Sequence, residues 1–271
     1  MPVPNSSAGV RLTIAAPAHN ERDNVRRLVE EIVDAVAPMG VTYEIVIVDD
    51  GSTDDTLDVL RDVRSTCPEL RILRMTNTPP GRGNGQSAAF SAAFGAARGD
   101  YIAVLDADLQ NDPADLPAMY ARMMEVDADM VQGDRSAARR DTFVRRMSSV
   151  VGRLFRRWLL GDTIRDTGCS LRLMRAEVAR AIPLEFRGMH RFIPVTARQL
   201  GYTVVEVPVH HRPRTAGEAK YGVWNRAIPG LVDCLAVRWM RNRRRPTTCE
   251  SVDAAGAATP RPEPIAHEIM P

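Results

Sequence analysis

The strongest constraint on the fold is a regular alternation of short apolar segments with amphipathic ones over roughly the first 110 residues. Residues 43–48 (YEIVIV) and 101–105 (YIAVL) have the length and the β-branched, apolar composition of strands that are buried on both faces of a parallel sheet. Between such segments, apolar residues recur at helical spacing, as Val25, Leu28, Val29, Ile32 and Val33 do. This alternation predicts an α/β fold with a doubly wound, mostly parallel sheet and helices on both of its faces.

The remaining elements follow from the same criteria. Asn20 is predicted to cap the first helix, and a second helix is predicted to begin within residues 52–55. Pro and Gly residues mark residues 76–86 as a loop. The predicted strands are 11–16, 43–48, 70–75, 101–105, 130–133, 170–174 and 204–209, and the further predicted helices are 87–97, 139–160, 190–200 and 224–240.

Four segments of different character follow one another along the chain. Residues 1–10 are expected to form a flexible N-terminus, and residues 11–223 one α/β domain that carries the candidate site. Residues 224–245 are expected to form an amphipathic helix with a basic end. Residues 246–271 are rich in Pro and Ala and lack periodicity, which predicts a disordered tail.

The charge pattern limits the partners that the chain can have. The formal net charge is only +2, so no nucleic-acid partner is expected, although arginines cluster within 135–146, 153–157 and 241–245. The apolar face of the helix at 224–240 could pack on the domain or lie in a bilayer interface, and both interpretations stay open. Because no apolar run approaches about 18 residues and no leader pattern is present, we expect a cytoplasmic protein that meets the inner face of a membrane only peripherally.

Carboxylates follow three of the predicted strands, where ligands of open α/β sheets bind. Glu21 follows the first strand, and Asp49 and Asp50 follow the second, where a carboxylate can accept hydrogen bonds from a nucleobase or a ribose. Asp106 and Asp108 follow the fourth strand and are two positions apart, so both can reach one hard cation such as Mg2+ or Mn2+. By itself such a pair is also a common polar turn.

Three motifs taken together carry a resemblance that none of them carries alone. They are PAHNE at 17–21, VDDGSTDDT at 48–56 and LDADLQNDP at 105–113, and further matches lie at 133–135, 166–170, 190–194 and 217–222. The set resembles the family-two glycosyltransferases, and within them the dolichyl- and undecaprenyl-phosphate sugar transferases. The resemblance covers about residues 11–225 and implies the GT-A fold.

The resemblance implies a role for each matching position. Asp108, Arg135, Arg191 and Lys220 would be catalytic, although Ala219 stands where the motif around that lysine usually has a serine. In the nucleotide-sugar pocket, the implied binding residues are Pro17, Ala18, Asn20 and Glu21, and Asp49 or Asp50 would hold the base and ribose. Mg2+ or Mn2+ and the diphosphate would be bound by Asp106, Asp108 and Gln110. Arg135 would face an acceptor phosphate, and Lys220 would close over the diphosphate.

The segment at 189–192 departs from relatives that glycosylate hydroxyl groups. Those enzymes place a carboxylate base there, whereas this chain has Arg191. A phosphate monoester is already ionised and needs cations rather than a base, which Arg191, Arg135 and either Arg145 or Arg146 would supply. This favours an inverting transferase that acts on a polyprenyl phosphate; His190 as a base is the alternative.

Two further functional interpretations stay open. The same donor site could serve another acceptor, such as a polysaccharide or a small hydroxyl compound. The chain could also be a non-catalytic module that binds nucleotide sugars, which the intact Asp106, Asp108 and Lys220 argue against. A membrane-protein partner or a homodimer is compatible with each interpretation.

Overall fold

The computed structural model describes residues 9–79, 81–136, 143–213 and 224–245, with the backbone alone for 143–151 and 224–229. Lys220 and the expected tail lie outside these ranges, as do most of the expected flexible N-terminus and the side chains of Arg145 and Arg146.

Seven strands form one sheet in the described part of the chain, in the order β3-β2-β1-β4-β6-β5-β7. All neighbouring pairs are parallel except those that β6 makes with β4 and β5. The predicted doubly wound, mostly parallel sheet is therefore confirmed. The strands are β1 (Leu12–Ala18), β2 (Tyr43–Asp49), β3 (Leu70–Arg74), β4 (Tyr101–Val104), β5 (Met130–Asp134), β6 (Arg172–Arg175) and β7 (Val204–Pro208).

Helices cover both faces of the sheet, as the alternation predicted. The α-helices are α1 (Val25–Val36), α2 (Thr56–Thr66), α3 (Gln86–Ala96), α4 (Leu116–Glu125), α5 (Phe143–Leu160), α6 (Ala176–Ala181), α7 (Ile193–Gln199) and α8 (Trp224–Arg243). Short 3₁₀ helices lie at Ala37–Met39, Pro113–Asp115 and Met189–Phe192.

The two faces are packed by alternate residues of the central strands. In β2, Ile45 and Ile47 contact the cluster formed by α1, α2 and α4. Val46 and Val48 contact the cluster formed by α3, α6, α7 and the buried face of α8. Each of these four side chains is 0% exposed. Burying a side chain of this size stabilises the fold by about 1.5–3 kcal/mol, which explains why both faces of the strand are apolar.

One local prediction was wrong, and one predicted helix is divided into two parts. Asn20 does not cap α1, which begins after Asn24. The helix expected at 190–200 is a 3₁₀ turn followed by α7, because Pro194 lies in the first turn of α7, where its missing N–H costs no hydrogen bond. α4 and α6, which directly follow other elements, were not predicted.

No helix in the described ranges is both long and apolar enough to cross a membrane.

Candidate active site

Polar side chains meet at one edge of the sheet because β2, β1 and β4 are adjacent and parallel. Ala18, at the end of β1, pairs with Asp49, at the end of β2. β4 lies on the other side of β1 and ends two residues before Asp106. Parallel strands bring their carboxyl ends to the same edge, so the predicted residues Pro17, Ala18, Asp49 and Asp106 lie there together.

Asp49 keeps one carboxylate oxygen available for a ligand. Its side chain is 1% exposed, and Oδ1 accepts a hydrogen bond from the backbone N–H of Ser52 at 3.1 Å. Oδ2 is buried without a hydrogen-bond partner, and the nearby guanidinium Nε of Arg74 is 3.9 Å away. Because an unpartnered buried oxygen costs about 1–3 kcal/mol, a ligand that donates a hydrogen bond here would be stabilised.

Asp50, the neighbouring carboxylate, orders a loop instead. Its two oxygens accept hydrogen bonds from the backbone N–H groups of Asn84 and Gly85, at 2.8 and 2.7 Å. A Cβ atom at Gly83 would collide with the Asp50 carboxylate, so only glycine permits this close approach. Asp49 is therefore the better candidate for contact with a base or ribose, and Asp50 fixes the start of α3.

Asn20 joins the loops that follow β1 and β2. Its φ of 58° is left-handed, a conformation that asparagine tolerates better than most residues. Its Oδ1 accepts from the backbone N–H groups of Thr53 and Asp54, at 2.8 and 3.4 Å, and its own N–H donates to Ser52 Oγ at 3.0 Å. These bonds hold the loop after β1 and the loop after β2 together.

Glu21 also joins the segments that follow β1 and β2. Its backbone N–H donates to Thr56 Oγ1 at 2.8 Å, and its Oε2 accepts from Asn24 Nδ2 at 2.6 Å. Glu21 thus anchors the beginning of α1 and α2 beside the predicted nucleotide pocket.

Asp106 is partly buried. The amide Nε2 of Gln86 donates to its Oδ1 at 2.7 Å, and the hydroxyl of Ser170 donates to its Oδ2 at 2.5 Å. Burial raises the pKa of Asp106, the Ser170 hydrogen bond opposes that shift, and the nearby charge of Asp108 adds to it. The site therefore holds two carboxylates that repel each other.

The acidic pair suits a hard divalent cation. Asp108 is partly exposed, and its Oδ1 accepts the backbone N–H of Gln110 at 3.2 Å. A cation would offset both the burial of charge and the repulsion from Asp108, which together raise the pKa of Asp106, and carboxylate oxygens are what Mg2+ and Mn2+ prefer. Within the described ranges no group of three or more His, Cys, Asp or Glu side chains could hold a metal, so the remaining ligands would come from elsewhere, such as substrate phosphates.

Arg135 follows β5 and makes a buried ion pair. Its Nε and one terminal nitrogen donate to the two carboxylate oxygens of Asp166, at 2.8 and 3.2 Å. The side chains are only 11% and 6% exposed. Burial lowers the pKa of Arg135, but the bonds to Asp166 outweigh burial and leave that pKa raised. Arg135 thus reaches the site as part of a pair, not as an isolated cation.

Arg172 is a buried arginine that sequence reasoning missed. It is 2% exposed and donates to Gln132 Oε1 at 2.8 Å, to the carbonyl of Thr167 at 3.0 Å and to the carbonyl of His190 at 3.1 Å. Burial lowers its pKa to about 10, so it stays charged at neutral pH. It ties β6 to β5 and to two segments that border the site.

The segment Met189–Phe192 is attached to the start of α3. Ser87 Oγ accepts the backbone N–H of His190 at 3.1 Å and lies 2.9 Å from its Nδ1. Gln86, the preceding residue, binds Asp106. The first two residues of α3 therefore join the acidic pair to the segment that carries Arg191, whose guanidinium is 3.9 Å from Asp233 of α8.

Several residues of the site were not predicted. Asp166 and Ser170 belong to the motif at 166–170, which supplied a signal for them. Gln86 and Ser87 begin an otherwise alanine- and phenylalanine-rich helix, and their polarity at that position was a weaker signal. Nothing in the sequence around Arg172 set it apart from a surface arginine.

The chain matches known proteins over this whole region. The pattern of glycosyl transferase family 2 matches residues 13–182, which contain β2 to β6 and all of β1 except Leu12.

Two relatives match most of the chain. An undecaprenyl-phosphate 4-deoxy-4-formamido-L-arabinose transferase from Edwardsiella ictaluri (strain 93-146) is 33% identical over 232 residues, which cover 85% of this chain and 69% of the relative. A dodecaprenyl-phosphate galacturonate synthase from Rhizobium johnstonii (strain DSM 114642 / LMG 32736 / 3841) is 34% identical over 245 residues, which cover 88% of this chain and 69% of the relative.

Solved structures share the fold at lower identity. A mannosyltransferase from Pyrobaculum calidifontis in complex with GDP-Man and Mn2+ has a TM-score of 0.61 and 19% identity, covering 88% of this chain and 68% of its own. Glucosyl-3-phosphoglycerate synthase from Mycobacterium tuberculosis in complex with Mn2+, UDP and phosphoglyceric acid has a TM-score of 0.62 and 19% identity. The match covers 85% of this chain and 78% of the synthase chain. With the family match and the two relatives, these results show that the chain belongs to glycosyl transferase family 2 and is a glycosyltransferase with a GT-A-like fold.

Proposed function

We propose that this glycosyltransferase moves a sugar from a UDP- or GDP-linked donor to the phosphate of a polyprenyl phosphate, with inversion at the anomeric carbon and with Mg2+ or Mn2+. The names of both relatives contain a polyprenyl phosphate, which supports this class of acceptor. The solved neighbours that contain GDP-Man or UDP together with Mn2+ support a nucleotide-linked donor and a metal.

The observation that carries the proposal is the chemistry of the segment Met189–Phe192. A hydroxyl acceptor needs a general base within hydrogen-bond reach. This segment offers the half-exposed cation Arg191 and a histidine whose Nδ1 is already bonded to Ser87. Burial, with the charges of Arg191 and Arg172, lowers the pKa of His190 to about 3, which makes it a weak base. An acceptor that is already ionised suits such a site.

The reaction then requires no proton transfer from the acceptor. An oxygen of the acceptor phosphate forms a bond to the anomeric carbon while the bond from that carbon to the donor diphosphate breaks. The nucleoside diphosphate leaves with the electron pair. The second pKa of a phosphate monoester is about 6, so the nucleophile is mostly a dianion at neutral pH. One such displacement inverts the anomeric centre.

Residues of the chain would hold the two anions next to each other. Arg191 would hold the acceptor phosphate, since Arg135 is already bonded to Asp166. Asp49 would accept a hydrogen bond from the base or ribose through its unpartnered Oδ2. Asp106 and Asp108 would hold the divalent metal, which when bound supplies positive charge for the departing diphosphate. Lys220, outside the described residues, would close over that diphosphate.

Sugar transfer with purified protein tests the proposal. The protein is mixed with Mn2+ or Mg2+, radiolabelled UDP- or GDP-sugars, and a short-chain polyprenyl phosphate in detergent. The expected result is label in the lipid phase that disappears with EDTA. The matched control acceptor is the corresponding polyprenol, which has a hydroxyl in place of the phosphate and is expected to remain unlabelled.

Two outcomes would contradict the proposal in different ways. Label in the polyprenol would show that the site activates a hydroxyl and would remove the argument from Arg191. Metal-dependent donor binding by calorimetry without label in either lipid would keep the donor site and exclude the polyprenyl acceptor.

A further inference from the structure

An apolar surface on α5 and α8 faces away from the domain. Trp158 is 78% exposed and Trp239 is 62% exposed, values that are unusual for tryptophan. Elsewhere among the described side chains, the large apolar residues that are exposed are Met124, Val126 and Phe186. The α5–α8 surface consists of Leu154, Trp158, Leu231, Val232, Leu235 and Trp239.

α8 has two apolar faces that point in opposite directions. With 3.6 residues per turn, the four α8 members of the surface fall within a sector of about 100°. Cys234 and Val237 lie on the other side of the helix and are 4% and 2% exposed, because they pack into the domain. The outward stripe is therefore additional to the face that holds the helix in place.

α5 contributes to the same surface. Leu154 and Trp158 are four residues apart, so they lie one above the other on one side of the helix. α5 packs against α8, and two arginines of α8 fix the contact. Arg238 and Arg241 donate to the carbonyls of Leu159 and Leu160, at 2.9 and 3.1 Å.

The rim of the surface carries one sign of charge. Arg243 stands over the ring of Trp239, with 6.0 Å between the guanidinium carbon and the ring centroid. The one acidic residue in 152–160 and 230–245 is Asp233, which faces the segment at 188–191 on the inner side of α8. The arginines of these two ranges are Arg153, Arg156, Arg157, Arg238, Arg241, Arg243, Arg244 and Arg245. Arg156 pairs with the buried Asp162 at 3.0 Å, so the positive charge of the rim comes from the other arginines.

We propose that the α5–α8 surface binds the interface of an anionic lipid bilayer. The tryptophans and leucines would enter the boundary between headgroups and acyl chains, and the arginines would contact lipid phosphates. A second copy of the chain matches the surface less well, because a symmetric pair would bring arginines against arginines. This binding does not depend on the proposed acceptor.

The position of the surface gives this binding a consequence for the site. Asp233, on the inner side of α8, is 3.9 Å from Arg191. α8 thus lies between the bilayer and the segment that carries Arg191, so the bound enzyme would have that segment close to the lipid headgroups.

Cosedimentation with vesicles tests the proposal without any donor or acceptor. The full chain is mixed with vesicles of phosphatidylcholine, alone or with phosphatidylglycerol. We expect binding that needs phosphatidylglycerol and weakens as salt is raised. Trp158→Ser/Trp239→Ser is expected to weaken binding at least about tenfold. The matched control Met124→Ser/Val126→Ser, which alters exposed apolar residues elsewhere, is expected to bind as the wild type does.

Two further measurements keep the result interpretable. All three tryptophans, Trp158, Trp224 and Trp239, lie in α5 or α8, so their fluorescence is expected to shift to shorter wavelength on vesicle binding. Circular dichroism of each variant shows whether it is folded. Arg243→Gln/Arg244→Gln/Arg245→Gln is expected to lose about fivefold in affinity per arginine on the vesicles that contain phosphatidylglycerol.

Three outcomes would overturn the proposal. The folded wild type could stay in the supernatant with anionic vesicles. The double tryptophan variant could bind as tightly as the wild type. Sedimentation equilibrium without lipid could show a dimer that the double tryptophan variant abolishes, which would assign the surface to a second copy. Because no substrate is present, none of these outcomes bears on the proposed reaction.

Discussion

Ser87 and His190, 103 residues apart in the chain, are joined by two hydrogen bonds. Ser87 Oγ accepts the backbone N–H of His190, and its own hydroxyl hydrogen can donate to Nδ1 when the ring is neutral with its proton on Nε2. Burial, with the charges of Arg191 and Arg172, lowers the pKa of His190 to about 3, in agreement with this arrangement. The pair fixes the segment that carries Arg191 to the start of α3.

The neutral His190 predicts a specific dependence of stability on pH. Between its pKa of about 3 in the folded protein and about 6.5 in the unfolded chain, the unfolded state binds the extra proton. His190 therefore contributes full stability above about pH 6.5 and loses it as the pH falls toward 3. We expect His190→Gln to flatten this acid side of the stability curve, measured by urea unfolding from pH 7 to 4.

His210 is the matched control because its shift has the opposite sign. Its Nδ1 is 2.7 Å from Asp115, and that hydrogen bond raises its pKa. Its contribution is present below about pH 6.5 and is lost as the pH rises through the raised value. In a histidine NMR titration, His210 should change charge above pH 6.5 and His190 should not titrate down to pH 5. Titration of His190 near pH 6.5 would contradict the proposed hydrogen-bond pattern.

Asp108→Asn is expected to abolish transfer and leave the fold intact. Asp108 is partly exposed, and an asparagine oxygen can also accept the hydrogen bond that Asp108 receives from the N–H of Gln110. A bound metal would stabilise the negative charge that develops on the leaving diphosphate by several kcal/mol, so turnover should fall by more than about 100-fold. Thermal unfolding should stay within a few degrees of the wild type. Near-normal turnover would remove the metal role of this carboxylate.

Asp49 and Asp50 are predicted to respond differently to the same substitution. Asp49→Asn should weaken nucleotide binding about tenfold or more while the melting temperature is maintained, because its Oδ2 has no partner in the protein. Asp50→Asn should lower the melting temperature, because an amide nitrogen cannot accept the N–H groups of both Asn84 and Gly85. Calorimetric titration of each variant with UDP and GDP measures nucleotide binding, and thermal unfolding measures the melting temperature. A stable Asp50→Asn variant with weak nucleotide binding would reverse the assignment.

The sheet and the location of the site follow from the sequence for a simple physical reason. A strand buried on both faces must be apolar throughout, so β2 and β4 are recognisable alone, and parallel strands bring the residues after them to one edge. Asp49, Asp50, Asp106 and Asp108 were therefore predictable as neighbours.

The remaining features depend on contacts between distant segments. Which of Asp49 and Asp50 keeps an oxygen without a partner is decided by the backbone amides of Asn84 and Gly85, which are 34 and 35 residues after Asp50. Arg172 is buried because carbonyls of two other segments surround it. For α8, the sequence left core packing and interface contact as alternatives, and the structure has one face packed and one exposed.

Gly188→Ala is expected to disturb the contact between α8 and the site. Gly188 has φ +87°, and a Cβ atom there would be 2.5 Å from Oδ2 of Asp233. The backbone strain alone costs about 1–2 kcal/mol. Gly201→Ala is the matched control, because Gly201 has φ +92° with nothing within 4 Å of its Cβ. Urea unfolding should show a larger loss for Gly188→Ala, and Asp233→Ala should recover the difference. If the two variants lost the same free energy of unfolding, α8 would be able to move away from the added Cβ atom at no cost in stability.

Arg191→Ala is expected to impair use of the acceptor more than binding of the donor. Arg191 is 44% exposed on its side chain and lies in the segment where relatives that act on hydroxyls place a base, so its charge is available to an anionic acceptor. A charge-assisted bond to phosphate is worth about 1.5–3 kcal/mol, which corresponds to a rise in acceptor KM of about 10- to 150-fold. The Kd for the donor should change less than about threefold, because the proposed donor contacts are Asp49, Asp106 and Asp108 instead. Arg191→Lys keeps the charge without the fork of donors and should recover part of the loss. If the acceptor KM were unchanged in Arg191→Ala, the cation would not be what replaces the base, and the case for a phosphate acceptor would rest on the relatives alone.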